Sequence, residues 1–183
     1  MKQPLAFRMR PQHLEDIIGQ KHLIDKDKIL YRCIQEKRLF SMIFYGPPGT
    51  GKTTLAMVLA NELNLPYRLF NAVTGNKKDL ETIFEEAKYY EGLIVIIDEV
   101  HRLNKDKQDL LLPHVENGNI ILIGATTSNP LHAINPAIRS RCHLFEIKQA
   151  SQEDIEHALL NAIHDSRGLN DSVQIEEEAM HII

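Results

Sequence analysis

Short apolar runs alternate with longer amphipathic segments along most of the chain. Residues 41–45, 93–97 and 120–123 are almost continuously apolar, and residues 67–70 and 143–147 are two further short candidates. A run that is apolar throughout is typical of a strand buried on both faces. The five runs predict the strands of a parallel sheet that lies between helices, which is an α/β fold.

Between these runs, apolar residues recur every three or four positions, as on one face of a helix. The spacing predicts a helix from Lys52 that closes at Asn64-Leu65-Pro66, because proline disfavours helical backbone in the residue before it. Two further helices are predicted at residues 79–90 and 105–116, the second interrupted or kinked near Pro113. The alternation of strands and helices predicts right-handed crossovers that cover both faces of the sheet.

The pattern changes at residue 151. Ser151 and Asp154 match a capping box with Asp in place of the usual Glu, and they open a helix for which Gly168 is the expected stop. A second helix is predicted from about Glu176, and its apolar pattern runs to Ile183 without a cap. We therefore expect a second, helical domain of which this sequence contains only the start.

The composition fits a soluble globular protein. Of the 183 residues, 43% are hydrophobic and 25% are charged, and no apolar run approaches the roughly 20 residues that span a bilayer. The start, Met1-Lys2-Gln3-Pro4, lacks the pattern of a secretion signal. Cys33 and Cys142 have no metal spacing and indicate reduced thiols in a cytoplasmic protein. The net charge of -4 neither supports nor excludes nucleic acid, since a local basic patch is enough.

The turn after the first predicted strand matches the phosphate-binding pattern GxxxxGK followed by Ser or Thr. Its residues are Gly46-Pro47-Pro48-Gly49-Thr50-Gly51-Lys52-Thr53. Glycines allow a tight turn whose N–H groups point at phosphate oxygens, and the next helix adds the positive end of its dipole. In such a loop Lys52 reaches the β- and γ-phosphates and the Thr53 hydroxyl binds Mg²⁺. The alternative is a glycine-rich turn with a surface lysine, which does not account for a full match in this position.

Two carboxylates, Asp98 and Glu99, directly follow the apolar run 93–97. Ligands of open α/β sheets bind at the carboxyl ends of the strands, so both acids are expected near the phosphate loop. We predict that Asp98 helps to hold Mg²⁺ through water and that Glu99 orients and polarises the attacking water. Without the phosphate loop motif, Asp98 and Glu99 would be interpreted as two solvated acids at the end of a strand. His101 completes a DExH pattern typical of helicases, but the rest of the chain does not support that class, and a structural or supporting role is expected.

Several sequence blocks together carry a resemblance to a known family. They are the paired prolines of the phosphate loop, DEVHR at 98–102, GATTSNP at 124–130, PAIRSRC at 136–142, and the opening blocks at 4–11 and 18–23. Together they resemble the AAA+ ATPases of the clamp-loader clade. Within that clade they are similar to the family of replication-associated recombination proteins and Werner-helicase-interacting ATPases, from Pro4 to about Gly168.

The resemblance implies roles that spacing alone does not supply. Thr127, at the end of a central strand, matches the sensor 1 residue that contacts the γ-phosphate or the water, with Asn129 as the weaker candidate. Arg141 matches the arginine finger that completes the site of a neighbouring subunit, and Arg139 is its nearest competitor. From the residues alone, Thr127 is equally a strand-end cap, and Arg141 is equally a surface ion-pair partner. The implied catalytic set is Lys52, Glu99, Thr127 and Arg141.

The resemblance also implies a division of the chain. Residues 1–40 would pack on the nucleotide, residues 41–150 would form the AAA+ P-loop ATPase core, and residues 151–183 would start a helical lid. Arg10, Pro11, Ile17, Ile18 and Gly19 match the segment that packs on adenine and ribose, although the local pattern alone favours an ordinary amphipathic connector. The implied nucleotide-binding residues are Arg10, Pro11, Ile17, Ile18, Gly19, Pro47, Pro48, Gly49, Thr50, Gly51, Lys52, Thr53 and Thr54, with Thr53 and Asp98 as the Mg²⁺ residues.

The implied function is hydrolysis of ATP with Mg²⁺ by a homo-oligomer that assembles through its ATP sites. The expected substrate is single-stranded, gapped or forked DNA at stalled or damaged replication forks, in the cytoplasm at the nucleoid and without a membrane role. Single-strand-binding protein and other replication proteins are the implied partners. The family's sensor 2 arginine and oligomerisation domains are expected beyond residue 183, so this chain alone is expected to bind nucleotide weakly.

Three alternatives stay open. A clamp-loader subunit or a Holliday-junction branch-migration ATPase shares most of these motifs, although the N-terminal block and the absence of a zinc module argue against the first. A P-loop kinase for a small molecule needs an acceptor pocket, and Ser140-Arg141-Cys142 argues against it. A non-enzymatic scaffold stabilised by ATP does not need the pair Asp98-Glu99.

Overall fold

Five parallel strands form one sheet at the centre of the protein. The computed structural model describes residues 3–180, apart from the side chain of Glu177. The strands are β1 (Met42–Tyr45), β2 (Tyr67–Asn71), β3 (Leu93–Asp98), β4 (Ile120–Thr126) and β5 (His143–Glu146). Their order is β2-β3-β4-β1-β5, and every neighbouring pair is parallel. The predicted α/β fold with five parallel strands is confirmed.

Helices precede, connect and follow the strands. Before the sheet lie α1 (Leu5–Arg8), α2 (Lys21–Ile24) and α3 (Ile29–Gln35). Within it lie α4 (Lys52–Glu62), α5 (Lys77–Ala87), α6 (Lys105–Glu116), α7 (Pro130–Ala133) and α8 (Pro136–Arg139), and after it α9 (Gln152–His164) and α10 (Glu177–Met180). Short 3₁₀ turns lie at Leu14–Asp16 and Val100–Arg102.

Side-chain caps set where the connecting helices begin. At the start of α5, the Asn76 side chain accepts a bond from the Asp79 N–H, and the Asp79 carboxylate accepts one from the Asn76 N–H, both at 2.9 Å. The capping box predicted at Ser151 and Asp154 is confirmed by the same reciprocal arrangement. In contrast, α4 begins after Gly51 without a side-chain cap, so its first N–H groups remain available for another acceptor.

Alternate residues of β3 enter two separate hydrophobic cores. Val95 and Ile97 pack with residues of α5 and α6, whereas Ile94 and Ile96 pack with residues of α4 and the N-terminal segment. All four side chains are fully buried, as expected for a strand covered on both faces. A sheet covered in this way leaves the ends of its strands as the place for a site.

Two details of the predicted helices are wrong, namely the interruption at Pro113 and the stop at Gly168, whereas the predicted bounds 105–116 are those observed. α6 is continuous from Lys105 to Glu116 with Pro113 inside it, because a proline in the last turn removes only one helical N–H donor. α9 ends at His164 and not at Gly168, because Asp165 adopts extended backbone and its carboxylate accepts bonds from the backbone N–H and guanidinium of Arg167. Gly168 lies in the return turn, where a Cβ would be 2.1 Å from the Ala162 carbonyl oxygen.

The N-terminal segment contacts the turn that follows α9. Arg8 Nη1 donates to the carbonyl oxygens of Arg167 and Gly168, each at 2.6 Å. The helix predicted from about Glu176 is present as α10, and its predicted continuation to Ile183 lies outside the described residues. Within residues 3–180, the structure contains no helix of the length and apolarity needed to span a membrane.

Candidate nucleotide site

The phosphate loop leaves β1 through a glycine that has no room for a side chain. Gly46 has a φ of 152°, and a Cβ at this position would be 2.0 Å from the Ile147 carbonyl oxygen. Gly49 and Gly51 have φ values of 72° and 83°, and a Cβ at either would meet no other atom within 4 Å. The loop therefore turns through left-handed backbone next to open space, which is the geometry of an anion-binding loop.

Lys52 is the first residue of α4 and lies against this loop. Its Nζ donates to the carbonyl oxygens of Gly46 at 2.9 Å and Pro47 at 2.6 Å. Burial lowers the pKa of the Lys52 ammonium, and the nearby carboxylates Glu99 and Asp98 act in the opposite direction. The Lys52 ammonium therefore lies between the carbonyl oxygens of the phosphate loop and the carboxylates Asp98 and Glu99 at the end of β3.

Thr53 and Asp98 meet across the gap between the phosphate loop and β3. The Thr53 hydroxyl donates to Asp98 Oδ1 at 3.3 Å. Both are hard oxygen ligands of the kind that Mg²⁺ prefers, and both are close enough to serve one ion or its bound water. These residues fit the predicted Mg²⁺ site, and the loop above them fits a triphosphate.

Glu99 and Thr126 both contact the same ring nitrogen of His101. Glu99 has a φ of 52° and precedes the turn Val100–Arg102, and its Oε2 is 3.2 Å from His101 Nδ1. The same nitrogen is 2.8 Å from Thr126 Oγ1, which also accepts the Ser128 N–H at 3.0 Å. Sequence reasoning missed Thr126, because the pair Thr126-Thr127 offers two hydroxyls and only the strand end shows which one is buried.

Thr127, the predicted sensor, follows β4 rather than ending it. β4 ends at Thr126, whose side chain is fully buried, and Thr127 is exposed. Asp98 is level with Ala125 in the sheet, so Thr127 extends two residues past Asp98 at the same edge. Its exposed position leaves it able to reach a ligand there.

A cavity of about 680 Å³ continues from the phosphate loop towards the N-terminal segment and α9. Its lining includes the predicted residues Pro11, Ile17, Ile18, Pro48, Gly49, Thr50, Gly51 and Thr54, together with Leu55, Ile155 and Leu159. An apolar cavity beside a phosphate loop has the character of a base-binding pocket. Arg10 and Gly19 are not part of this lining: Arg10 is exposed and stacks on Phe7, and Gly19 faces Asp154.

Gln20 fastens the N-terminal segment to the chain between β5 and α9. Its side-chain amide donates to the Lys148 carbonyl oxygen at 2.7 Å and accepts the Lys148 N–H at 3.0 Å. Gln20 has left-handed backbone and is 7% exposed. It also lines the 680 Å³ cavity. Sequence reasoning noted Gln20 only within the resemblance, because a contact 128 residues away leaves no local pattern.

Arg141 lies at the opposite edge of the sheet from the phosphate loop, and Arg139 ends α8 two residues before it. Arg141 forms an ion pair with Glu116 and donates to the Ala137 carbonyl at 2.6 Å, while Arg139 donates to the carbonyls of Pro130 and Leu131. β5 begins level with the start of β1, and the phosphate loop follows the end of β1. The four residues of β1 span roughly 10 Å, so the structure does not bring Arg141 together with Lys52 and Glu99 of the same chain.

The sheet order, the phosphate loop after β1 and the acids after β3 define a P-loop nucleoside triphosphatase of the AAA+ class. Residues 9–140 match the family model described as the Holliday junction DNA helicase RuvB P-loop domain. The chain belongs to this family.

The chain is similar to three proteins that bear on its function. It is 57% identical over 179 residues to replication-associated recombination protein A of Bacillus subtilis, covering 97% of this chain and 42% of that protein. It is 43% identical over 157 residues to ATPase WRNIP1 of Dictyostelium discoideum, covering 84% and 18%. The solved RuvB Holliday junction branch migration motor of Thermotoga maritima superimposes with a TM-score of 0.79 at 28% identity, covering 95% and 58%. The predicted resemblance is confirmed, and the chain spans about two fifths of the Bacillus relative.

Proposed function

We propose that this chain is the ATPase part of an Mg²⁺-dependent AAA+ protein that acts on DNA in replication-associated recombination and repair. The observation that carries the proposal is the contact between Thr53 of the phosphate loop and Asp98 of β3, which joins the two halves of a nucleotide and metal site. The identity to a replication-associated recombination protein supports the biological setting. Because the chain spans only 42% of that relative, the activity is proposed for the whole protein.

Each side chain of the site has one role in the proposed hydrolysis. The loop N–H groups and the Lys52 ammonium bind the β- and γ-phosphates and oppose the charge that develops on them. Thr53 and, through water, Asp98 hold Mg²⁺, which when bound neutralises charge between these phosphates. Glu99 orients the attacking water in line with the γ-phosphorus and accepts its proton. Thr127 contacts the γ-phosphate or this water.

The remaining predicted residues bind the nucleoside, and the three predicted segments of the chain have separate roles. Pro11, Ile17 and Ile18 pack on adenine and ribose in the 680 Å³ cavity. Arg10 and Gly19 belong to the same segment but lie outside the cavity lining. Residues 1–40 act as the nucleotide-packing segment, residues 41–150 as the core and residues 151–183 as the start of a lid. The cavity supports this division because its lining comes from all three parts.

Arg141 is proposed to act on the site of a neighbouring copy. Its position at the amino edge of the sheet, away from its own phosphate loop, supports action in trans within a homo-oligomer. Arg139 is the weaker candidate because the family resemblance matches Arg141 rather than Arg139 to the finger. The DNA bound by this oligomer is proposed to be single-stranded, gapped or forked, with single-strand-binding protein as a partner, in the cytoplasm at the nucleoid.

The test is ATP hydrolysis by the whole protein and by two variants, with and without single-stranded, gapped and forked DNA. Lys52→Ala is expected to lose nucleotide binding, and Glu99→Gln to bind ATP but turn over at least roughly 100-fold more slowly. Lys88→Ala removes an exposed lysine paired with Glu85 on α5 and is the matched control. Unchanged turnover in Glu99→Gln, or hydrolysis that no DNA alters, would contradict the proposal.

Holliday-junction branch migration is the second candidate, favoured by the RuvB family match over residues 9–140. The higher identity to the replication-associated recombination relative supports the first candidate instead. Strand exchange on a synthetic four-way junction separates them. ATP-dependent movement of the junction by the whole protein, without stimulation by gapped or forked DNA, would favour the branch-migration motor.

A further inference from the structure

His101 stands between the proposed catalytic carboxylate and the carboxyl end of β4. Its Nδ1 is 3.2 Å from Glu99 Oε2 and 2.8 Å from Thr126 Oγ1. Nδ1 forms a hydrogen bond with Thr126 Oγ1, and its contact with Glu99 Oε2 is at ion-pair distance. Because a carboxylate has no proton to donate, both contacts are favourable when Nδ1 carries the proton. The Thr126 oxygen also accepts the Ser128 N–H at 3.0 Å, which ties the imidazole to the backbone beyond the strand.

The turn that carries His101 is packed tightly on β4. Gly124 lies in this strand, and a Cβ there would be 3.0 Å from Val100 Cγ1. Val100 is 2% exposed, and the His101 side chain is 14% exposed, against 32% for Glu99. The imidazole is therefore the better-fixed partner, and the Glu99 carboxylate is the group whose position depends on it.

We propose that His101 is a positioning residue, which holds the Glu99 carboxylate in register with the end of β4 through Nδ1. This inference rests on the proposed ATPase function and deepens it. The contact restricts the Glu99 carboxylate to positions within reach of Nδ1. It also couples Glu99 to Thr126 and, through the adjacent residue, to the proposed sensor Thr127.

The test compares two replacements of His101 in the whole protein. His101→Phe keeps the ring and removes Nδ1, whereas His101→Asn keeps a donor near the position of Nδ1. Loss of the Nδ1 contact with the charged carboxylate predicts a kcat lower by roughly 10- to 100-fold in His101→Phe, with KM and nucleotide affinity unchanged. His101→Asn is expected to recover most of the lost turnover. His114→Phe is the matched control, because His114 of α6 is also partly buried and stacks on Phe84 of α5.

Non-additivity separates positioning of Glu99 from a general structural effect. In the Glu99→Gln background, His101→Phe is expected to lower single-turnover hydrolysis by much less than it does in the wild type. Should His101→Phe fail to fold, Thr126→Val removes the hydroxyl alone and must lower kcat with the same non-additivity.

The outcomes distinguish this inference from the proposed function. A slow Glu99→Gln together with full turnover in His101→Phe leaves the ATPase intact and overturns the positioning role. An additive loss in the double variant, or a loss that appears only in nucleotide affinity, overturns it as well. A wild-type protein that does not hydrolyse ATP, or an unaffected Glu99→Gln, overturns the proposed function itself and this inference with it.

Discussion

At the scale of single residues, Gly46 shows how closely the phosphate loop is fitted to the sheet. We expect Gly46→Ala to lower the free energy of unfolding by roughly 2 to 5 kcal/mol, because the new Cβ meets backbone that cannot rotate away. Gly118→Ala is the control: Gly118 also has a positive φ of 70°, but a Cβ there meets nothing within 4 Å, so about 1 kcal/mol of backbone strain is expected. Denaturant unfolding measures both, and equal losses would show that the contact with Ile147 is unimportant.

The residues of the site differ in how far the sequence predicts them. The phosphate loop, Asp98 and Glu99 occupy fixed positions next to their strands, so local spacing is enough to find them. The contacts of His101 with Thr126 and of Gln20 with Lys148 join residues 25 and 128 positions apart. Such contacts depend on which elements are neighbours in the folded protein, and the local spacing of residues does not predict this order.

At the scale of elements, α5 depends on the capping box at its first turn. We expect Asn76→Ala to lower the free energy of unfolding by about 1 kcal/mol, because it leaves the Asp79 N–H without its acceptor. Asn76→Ser keeps an acceptor in the cap and is expected to change stability by only a few tenths of a kcal/mol. Thermal unfolding of the three proteins checks this, and equal melting temperatures would mean that tertiary packing alone sets the start of α5.

The elements also show where hydrophobic pattern is sufficient and where it is not. The three inner strands, β1, β3 and β4, follow from continuous apolar runs because they are buried on both faces. The edge strands β2 and β5 are partly exposed, and their apolar patterns are correspondingly weaker. The end of α9 does not follow from the hydrophobic pattern. The Asp165 carboxylate accepts a hydrogen bond from the Arg167 N–H, which ends the helix three residues before Gly168, the stop that sequence rules favour. In α6, Pro113 lies close enough to the end for the helix to continue past it.

At the scale of the whole molecule, the sheet separates Arg141 from the site of its own chain. β5 starts level with the start of β1, so Arg141 lies at the amino edge while the phosphate loop lies at the carboxyl edge. Its ion pair with Glu116 is more than a third exposed on both sides, and such pairs contribute only about 0 to 1 kcal/mol. The Glu116 ion pair is therefore a weak restraint on the guanidinium, which also donates to the Ala137 carbonyl and the Ser140 hydroxyl.

This geometry leads to a complementation prediction for the whole protein. Arg141→Ala is expected to fold and bind nucleotide normally but to lose most of its hydrolysis, since a finger in trans contributes about 10³-fold or more. Lys52→Ala is expected to be inactive because it lacks the phosphate contact. In mixed oligomers, a Lys52→Ala subunit supplies its intact Arg141 to the intact loop of an Arg141→Ala subunit, so part of the activity returns. Arg139→Ala is the control variant. It is expected to keep full activity by itself, and it is mixed with Lys52→Ala in the same way. If verified mixed oligomers stay inactive, Arg141 does not act between subunits.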